Sequence, residues 1–167
     1  MPYWQLFYHF VWTTKNRQPL LTPDVSHIVF ELVRTKAIGL GGVVYAVGGY
    51  LDHVHLVTSV PPRIAVATFI GQVKGSTSAR FNQLELSTKL YWQDEYGVFS
   101  FDAKKLHNFI AYVKNQKQHH TKGTAIPVLE RMSKGEPRLF RETGPTYYLE
   151  EELWREEMLS LSRSDER

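Results

Sequence analysis

The sequence contains no cysteine, which excludes disulfide bonds, thiolate metal ligands and thiol nucleophiles. It has no apolar run near the ~18 residues of a membrane span, and its N-terminus lacks the basic-then-apolar layout of a signal peptide. The GxxxxGK(S/T) motif of nucleotide-binding loops is absent as well. These absences predict a cytoplasmic protein without a membrane partner, in which any covalent catalysis uses a nucleophile other than sulfur.

The composition is that of one folded domain with an uneven charge. The 167 residues are 43% apolar and 22% charged, so the chain can bury a core and is too apolar to be disordered. The formal net charge is +3, but residues 150–167 carry −4 and the rest of the chain carries +7. A basic body favours a polyanionic partner, although a soluble basic surface followed by an acidic helix explains the same distribution.

The hydrophobic pattern predicts an α+β protein. Strands are expected at 3–14, 43–51, 54–60 and 96–101, and helices at 23–39, 64–82 and 102–120. This order is that of a ferredoxin-like or RRM-like sandwich, with helices packed mainly on one face of an antiparallel sheet. Gly48 and Gly49 inside the second strand indicate a bulge or a close backbone approach. After Gly123 the pattern weakens, which divides the chain into a domain at 1–120 and a C-terminal extension at 121–167, acidic at its end.

The most specific local pattern is Asp52-His53-Val54-His55, at the start of the third predicted strand. Residues i and i+2 of a strand point to the same face, so His53 and His55 are expected to lie side by side. Two neutral imidazoles at this spacing suit a divalent metal ion. Two hydrogen-bonded surface histidines would give the same pattern.

A second pattern lies on the helix predicted at 102–120. Tyr112 and Gln116 are four residues apart, so they lie one turn apart on one face. They flank the apolar stripe, where a helix lying on a sheet offers side chains to a cleft. The alternative is a boundary tyrosine with its hydroxyl group in water.

Taken in order, these patterns resemble the small single-tyrosine HUH transposases, which mobilise insertion sequences as single-stranded DNA and include the REP-associated tyrosine transposases. The stretches that carry the resemblance are Thr13–Arg17, DHVHLV at 52–57, VKGSTS at 73–78, residues 91–100 beginning Tyr91-Trp92-Gln93, and FIAYVKNQKQHH at 109–120. Together they span about residues 3–120, in the order and at the spacing of the family.

The resemblance implies a role for each matched residue. His53 and His55 would hold a Mg²⁺ or Mn²⁺ ion, and Gln116 would complete the metal site. Tyr112 would attack a DNA phosphate, giving a 5′-phosphotyrosine link and a free 3′-OH. Residues 1–120 would form the HUH-type catalytic domain, acting on single-stranded DNA with hairpin ends. The family contains both monomers and homodimers that share the tyrosine helix, and both arrangements stay open for this chain.

General chemistry agrees with these roles. A tyrosine hydroxyl with a pKa near ~10 is a poor nucleophile at neutral pH, and a cation that polarises the phosphate compensates for this. Phosphate contacts are expected from Lys15, Arg17, Lys74, Ser76, Arg80 and Lys114. Bases could stack on Trp12, Tyr91, Trp92 or Phe99, although a place in the core is the better explanation for most of them.

Two other functions fit the same patterns. A domesticated or inactive copy would bind single-stranded nucleic acid on this scaffold without cutting it. A metal-dependent hydrolase would use His53 and His55 without a covalent step. A covalent protein–DNA adduct distinguishes the transposase from both.

Some neighbouring side chains also have alternative roles. Tyr91 and Tyr96 are rival nucleophiles, of which Tyr96 is better explained as structural. The pair Tyr147–Tyr148 has no metal ligand nearby in the sequence. The pair His119–His120 either extends the metal site or forms a polar helix end.

Overall fold

The computed structural model describes residues 2–132 and 149–164, which contain four strands and six α-helices. The strands are β1 Phe7–Thr13, β2 Val44–Tyr50, β3 His53–Ser59 and β4 Gly97–Phe101. The helices are α1 Pro23–Gly39, α2 Val66–Gln83, α3 Leu106–Lys114, α4 Gln116–Lys122, α5 Pro127–Glu130 and α6 Leu149–Ser164. None of these described helices has both the length and the apolarity that crossing a membrane requires.

The four strands form one antiparallel sheet in the order β2-β3-β1-β4. The helix α1 joins β1 to β2 with β3 between them, and α2 joins β3 to β4 with β1 between them. This is the interlocked split βαβ arrangement of ferredoxin-like proteins, and it confirms the predicted α+β fold. The aromatic and β-branched side chains of β1 suit its central, doubly paired position.

Side chains alternate across the sheet, and each face carries its own helical layer. Phe10 of β1 and Val54 and Leu56 of β3 point to the face covered by α1 and α2, which is the layer that the sequence predicts. The opposite face of the sheet is covered by α3, α4 and α5. A second core on this side includes Val57 of β3 and side chains of α6. The histidines of β3 lie on this second face because they alternate with Val54 and Leu56.

The helix predicted at 102–120 is divided in the structure. A 3₁₀ turn precedes α3, and Asn115, with φ −101° and ψ 20°, separates α3 from α4. Gly123 ends α4 with a left-handed φ of 68°. The asparagine side chain competes with helical backbone hydrogen bonds, which favours it at helix boundaries. Tyr112 and Gln116 thus lie in different helices, but they stay in contact because Gln116 Nε2 donates to the Tyr112 carbonyl oxygen at 3.2 Å.

The helix α3 packs directly onto the backbone of β2 at Gly48. A Cβ atom at Gly48 would lie 2.3 Å from the carbonyl oxygen of Val113, closer than atoms approach. The close approach expected from the glycine pair is therefore confirmed, while the irregular strand register lies between Val44 and Ala46. This contact sets the height of Tyr112 above the sheet.

Candidate functional site

His53 and His55 project from β3 toward α3, α4 and α5, and both side chains are buried. Their rings are nearly perpendicular, with centroids 5.0 Å apart. His53 Nδ1 lies 2.7 Å from Asp52 Oδ1. His55 Nδ1 lies 2.8 Å from His9 Nε2. Each ring is held through Nδ1, which leaves both Nε2 atoms facing the same space.

The helix α4 adds two side chains to this space. Gln116 Oε1 lies 3.3 Å from His53 Nε2 and 3.1 Å from His120 Nε2. The centroids of the His120 and His53 rings are 4.5 Å apart. Of the two adjacent histidines, His120 therefore faces the β3 pair, whereas His119 stacks on Tyr112 with centroids 4.7 Å apart.

Glu130, at the end of α5, completes the cluster from a region that the sequence analysis did not single out. Its Oε2 lies 3.1 Å from His55 Nε2, 3.5 Å from His53 Nε2 and 3.8 Å from His120 Nε2. The only local signal is Pro127, which starts a short helix. Glu130 and His55 are 75 residues apart, and no periodicity relates them.

The Tyr112 hydroxyl group is buried beside this cluster. It donates a hydrogen bond to Glu130 Oε1 and accepts one from the Ile126 N–H at 2.9 Å. The Tyr112 ring meets the His55 ring edge-on, with centroids 5.9 Å apart and an angle of 88°. Tyr112 is only 2% exposed, so the alternative of a boundary tyrosine with its hydroxyl in water is wrong.

The donor set fits a divalent metal ion. One ligand atom from each of four residues lies within 4.8 Å of the others: His53, His55, His120 and Glu130. Imidazole nitrogens and carboxylate oxygens all offer lone pairs, so a buried group of them requires protons or a cation between its members. Imidazoles suit transition metals, while carboxylate and amide oxygens suit Mg²⁺ and Mn²⁺. The amide oxygen of Gln116 adds one further donor to the group.

Most residues of this site lie in a segment of the chain that matches a known sequence family. A family model described as "Transposase IS200 like" matches residues 2–116. The chain belongs to the IS200-like transposase family. The matched stretch contains His53, His55, Tyr112 and Gln116 and ends before Glu130.

Two relatives agree with this family, and one solved structure has a similar fold. The transposase is similar to the ISDra2 transposase TnpA of Deinococcus radiodurans, with 27% identity over 119 residues that cover 68% of this chain and 85% of the relative. It is similar to the transposase for insertion sequence element IS200 of Salmonella typhimurium, with 22% identity over 131 residues, 75% of this chain and 86% of the relative. Its fold resembles that of a REP-associated tyrosine transposase bound to a REP hairpin, with a TM-score of 0.52 and 12% identity over 77% of this chain and 78% of that chain.

Burial and charge set the protonation of the transposase site. Burial would raise the pKa of Glu130, but the His55 and His53 rings hold that pKa well below its ordinary value. Burial would lower the pKa of His53, but its hydrogen bond to Asp52 and the charge of Glu130 raise it. Burial and the negative charge of Glu130 raise the pKa of Tyr112 well above its ordinary value. Without a metal, the carboxylate is therefore ionised at neutral pH and the tyrosine is protonated.

We expect the metal-free transposase to lose stability as the pH falls from 6.5 to about 4. Burial lowers the pKa values of His119 and His120 from 6.5 to about 4, and it also lowers those of His9 and His55. In this pH window the unfolded chain binds protons that the folded chain does not, so acid favours unfolding. The raised pKa of His53 acts in the opposite direction but is outnumbered. Thermal unfolding in EDTA at a series of pH values measures the effect, and a Tm that stayed level or rose on acidification would contradict it.

The residues predicted to contact DNA lie at several places on the transposase. Three of them are exposed: Lys15, Arg80 and Lys114. Ser76 is half-buried, and Arg17 lies 3.6 Å from Asp52 in an ion pair. Lys74 is buried, and its Nζ donates to the carbonyl oxygens of residues 93–95. Lys74 therefore organises this loop, and its contact with DNA stays a prediction.

The candidate stacking residues and rival nucleophiles differ in exposure. Trp12 is fully buried in the core, whereas Tyr91 is 58% exposed. Three others are half-buried and pack against the two cores: Trp92, Tyr96 and Phe99. The pair Tyr147–Tyr148 lies outside the described residues. Among the four stacking candidates, Tyr91 presents the most open ring.

Proposed function

We propose that this transposase cuts and rejoins single-stranded DNA through a 5′-phosphotyrosine link at Tyr112, with a divalent metal ion at the histidine–carboxylate cluster. One observation carries the proposal: Glu130 accepts a hydrogen bond from the Tyr112 hydroxyl through Oε1 while its Oε2 faces His55 Nε2. The shared carboxylate puts the nucleophile next to the groups that would hold the metal. Such proximity is what attack on a metal-bound phosphate requires.

The proposed reaction exchanges one phosphate ester for another. The Tyr112 oxygen forms a bond to phosphorus while the bond from phosphorus to the 3′ oxygen breaks. The tyrosine loses its proton and the 3′ oxygen leaves as a hydroxyl group with a proton, so atoms and charges balance. Rejoining is the reverse reaction with the 3′-OH of another end. The ester energy is retained throughout, which agrees with the absence of an ATP-binding motif.

The proposed metal ligands come from both parts of the chain. His53, His55 and Gln116 are the set that the family resemblance implies, and His120 and Glu130 extend it. A bound Mg²⁺ or Mn²⁺ would supply a Lewis acid that polarises the phosphate and stabilises developing negative charge. Glu130 would orient the Tyr112 hydroxyl toward the reacting phosphate through its second oxygen.

The proposed substrate is a single strand with a hairpin end. The solved relative named above is bound to a REP hairpin, and the basic body of this chain suits a phosphate backbone. A single chain brings Tyr112 to within ring contact of His55. The proposed site is therefore complete in a monomer, and a homodimer is not needed to assemble it.

The proposal is tested with purified protein, Mn²⁺ and a single-stranded hairpin DNA labelled at its 3′ end. Denaturing electrophoresis should show a covalent protein–DNA band that protease removes. The same DNA labelled at its 5′ end should yield a shortened strand that a polymerase can extend. Cleavage without the covalent band would favour the hydrolase, and binding without cleavage would favour the inactive DNA-binding protein.

Glu130→Gln is expected to weaken Mn²⁺ binding at least about tenfold, because the substitution removes the negative charge from the cluster and keeps its shape. For the wild type, Mn²⁺ at about 100 times its Kd should add about 2.7 kcal/mol of stability. In a domain of this size, that shift raises Tm by about 5–10 °C. At the same Mn²⁺ concentration a tenfold weaker site keeps only about 1.4 kcal/mol, so the variant should lose about half of this shift or more, as measured by calorimetric titration and thermal unfolding.

The matched control is Glu31→Gln, since Glu31 is exposed on α1 and pairs only with its helical neighbour Arg34 among the ion pairs described. This control should bind Mn²⁺ like the wild type. Unchanged Mn²⁺ affinity in Glu130→Gln would remove Glu130 from the proposed ligand set.

A further inference from the structure

We propose that Asp52 and His9 are positioning residues that hold His53 and His55 with their Nε2 atoms directed at the metal. This inference rests on the proposed metal role of the cluster. It assigns a function to two side chains that each contact the Nδ1 atom of one β3 histidine, on the side away from the proposed metal position. The His9 ring also meets the Tyr112 ring edge-on, with centroids 6.4 Å apart.

Asp52 holds His53 from the turn between β2 and β3. Its Oδ1 lies 2.7 Å from His53 Nδ1, and its Oδ2 lies 3.6 Å from Arg17 Nη1. Its carbonyl oxygen accepts from the Thr14 N–H at 2.8 Å and from the Thr14 hydroxyl at 3.2 Å. The contacts with Thr14 hold the Asp52 backbone, and the contacts with His53 and Arg17 hold its carboxylate, so the carboxylate has little rotational freedom.

The turn that carries Arg17 has an unusual backbone. Asn16 and Arg17 both have left-handed φ values, 56° and 51°. This region is unfavourable for residues other than glycine and persists where surrounding contacts impose it. The Gln93 side chain accepts from the Asn16 N–H, and the turn delivers the Arg17 guanidinium to Asp52. This backbone conformation therefore places Arg17 against the Asp52 carboxylate, which in turn contacts His53.

His9 holds His55 from the central strand β1. It is 1% exposed, and its Nε2 lies 2.8 Å from His55 Nδ1. The centroids of the two rings are 4.9 Å apart, and the ring planes make an angle of 33°. β1 and β3 pair in continuous register, with His9 opposite Val57 and Val11 opposite His55. His9 thus reaches His55 diagonally across a rigid strand pair, which leaves little freedom in the position of either ring.

The common feature of the two contacts is the atom that they engage. A histidine can bind a metal through either ring nitrogen, and the hydrogen bond at one nitrogen selects the other as ligand. Both outer partners engage Nδ1, so both Nε2 atoms are left for the metal. In the metal-bearing form, each Nδ1–H donates: that of His53 to the Asp52 carboxylate, and that of His55 to His9 Nε2. Hydrogen-bond partners of this kind typically change metal affinity by about 10–100-fold when they are removed.

Mn²⁺ titration of the full chain without DNA tests the inference. Asp52→Ala is expected to weaken Mn²⁺ binding by about 10–100-fold, while Asp52→Asn keeps an acceptor oxygen for His53 and should recover most of the loss. Asp52 is 26% exposed in a turn, so both variants should fold. His9→Leu is expected to weaken binding similarly, and His9→Gln, whose amide oxygen can accept from His55, should restore part of it.

A purely structural role would give a different result. It would lower the Tm measured in EDTA without changing Mn²⁺ affinity. Asp52→Asn and His9→Gln would then have no lost Mn²⁺ affinity to restore. Asp24→Asn, at the exposed start of α1, is the control for the loss of one carboxylate. Folded Asp52→Ala and His9→Leu proteins that bind Mn²⁺ like the wild type would overturn the inference.

A second readout separates this inference from the proposed function. Nitrogen-15 NMR of the imidazoles in the Mn²⁺-free chain should show a hydrogen-bonded Nδ1 proton on His53 that is lost in Asp52→Ala. A wild type that shows this proton but does not bind Mn²⁺ would refute the metal function. A wild type that binds Mn²⁺ without this proton would refute the positioning role of Asp52 alone.

Discussion

Replacing Tyr112 by phenylalanine is expected to abolish the covalent protein–DNA adduct and to slow strand cleavage by about 10⁴-fold or more, an effect typical of losing a nucleophile. The substitution removes one oxygen atom and leaves the ring packed against His55 and His119. The chain has no cysteine that could replace the lost nucleophile. The rate of adduct formation on 3′-labelled hairpin DNA at saturating Mn²⁺ measures the effect.

Two other tyrosines provide matched controls for this experiment. Tyr91→Phe and Tyr96→Phe remove the same atom from an exposed and a half-buried ring, and both should form the adduct at the wild-type rate. Tyr112→Phe also leaves the Ile126 N–H without its described acceptor, which costs about 1–3 kcal/mol of stability. The assay is therefore run below the Tm of the variant. An adduct of normal yield in Tyr112→Phe would assign the nucleophile to another residue.

The surroundings of Tyr112 give a physical reason why the proposed nucleophile would depend on a cation. Burial and Glu130 raise its pKa, so the metal-free site keeps the hydroxyl protonated. A divalent ion held by the cluster would bring two positive charges against the single negative charge of Glu130 and would reverse the sign of the local electrostatic potential. The same hydrogen bond that holds the tyrosine in place in the metal-free protein thus opposes its ionisation. In the proposed mechanism, activation of the tyrosine would therefore require a cation in the cluster.

Local periodicity predicts the fold and the relative placement of four residues of the candidate site, while their roles were implied by the family resemblance. The alternation of Val54 and Leu56 with His53 and His55 follows from the period of a strand, so the sequence places both imidazoles on one face. The order of strands and helices fixes the split βαβ topology with little ambiguity. The contact between Tyr112 and Gln116 follows from helical spacing, and it survives the break at Asn115.

The rest of the site depends on tertiary contacts that no local pattern encodes. Glu130 lies on a four-residue helix in the extension, too short to show a periodic signal. Its position beside the histidines depends on the second helical layer, in which α3, α5 and α6 share a core around Phe109 and Trp154. His9 was similarly hidden, because an isolated histidine in an aromatic strand has no partner in the nearby sequence. Both residues are found only when the strands and the extension are placed together.

Replacing His53 by alanine is expected to stop cleavage while most of the DNA affinity remains. Lewis-acid stabilisation is worth several kcal/mol, so loss of a proposed ligand should slow cleavage by at least about 10³-fold. The exposed cations Lys15, Arg80 and Lys114 lie outside the cluster and should still contact phosphates. Fluorescence anisotropy at several salt concentrations should give a salt slope like that of the wild type, about −0.7 for each neutralised phosphate of a single strand.

The matched control is His107→Ala, which removes an exposed imidazole of α3 that is not part of the cluster. It should cleave and bind DNA like the wild type. If folded His53→Ala lost both cleavage and salt-sensitive binding, His53 would be a DNA contact rather than a metal ligand. Loss of cleavage alone would place the two functions on separate groups: the buried histidines and Glu130 for chemistry, and the exposed cations for holding the strand. That separation agrees with the exposure of the two groups, because the cluster residues are buried or half-buried while Lys15, Arg80 and Lys114 face solvent.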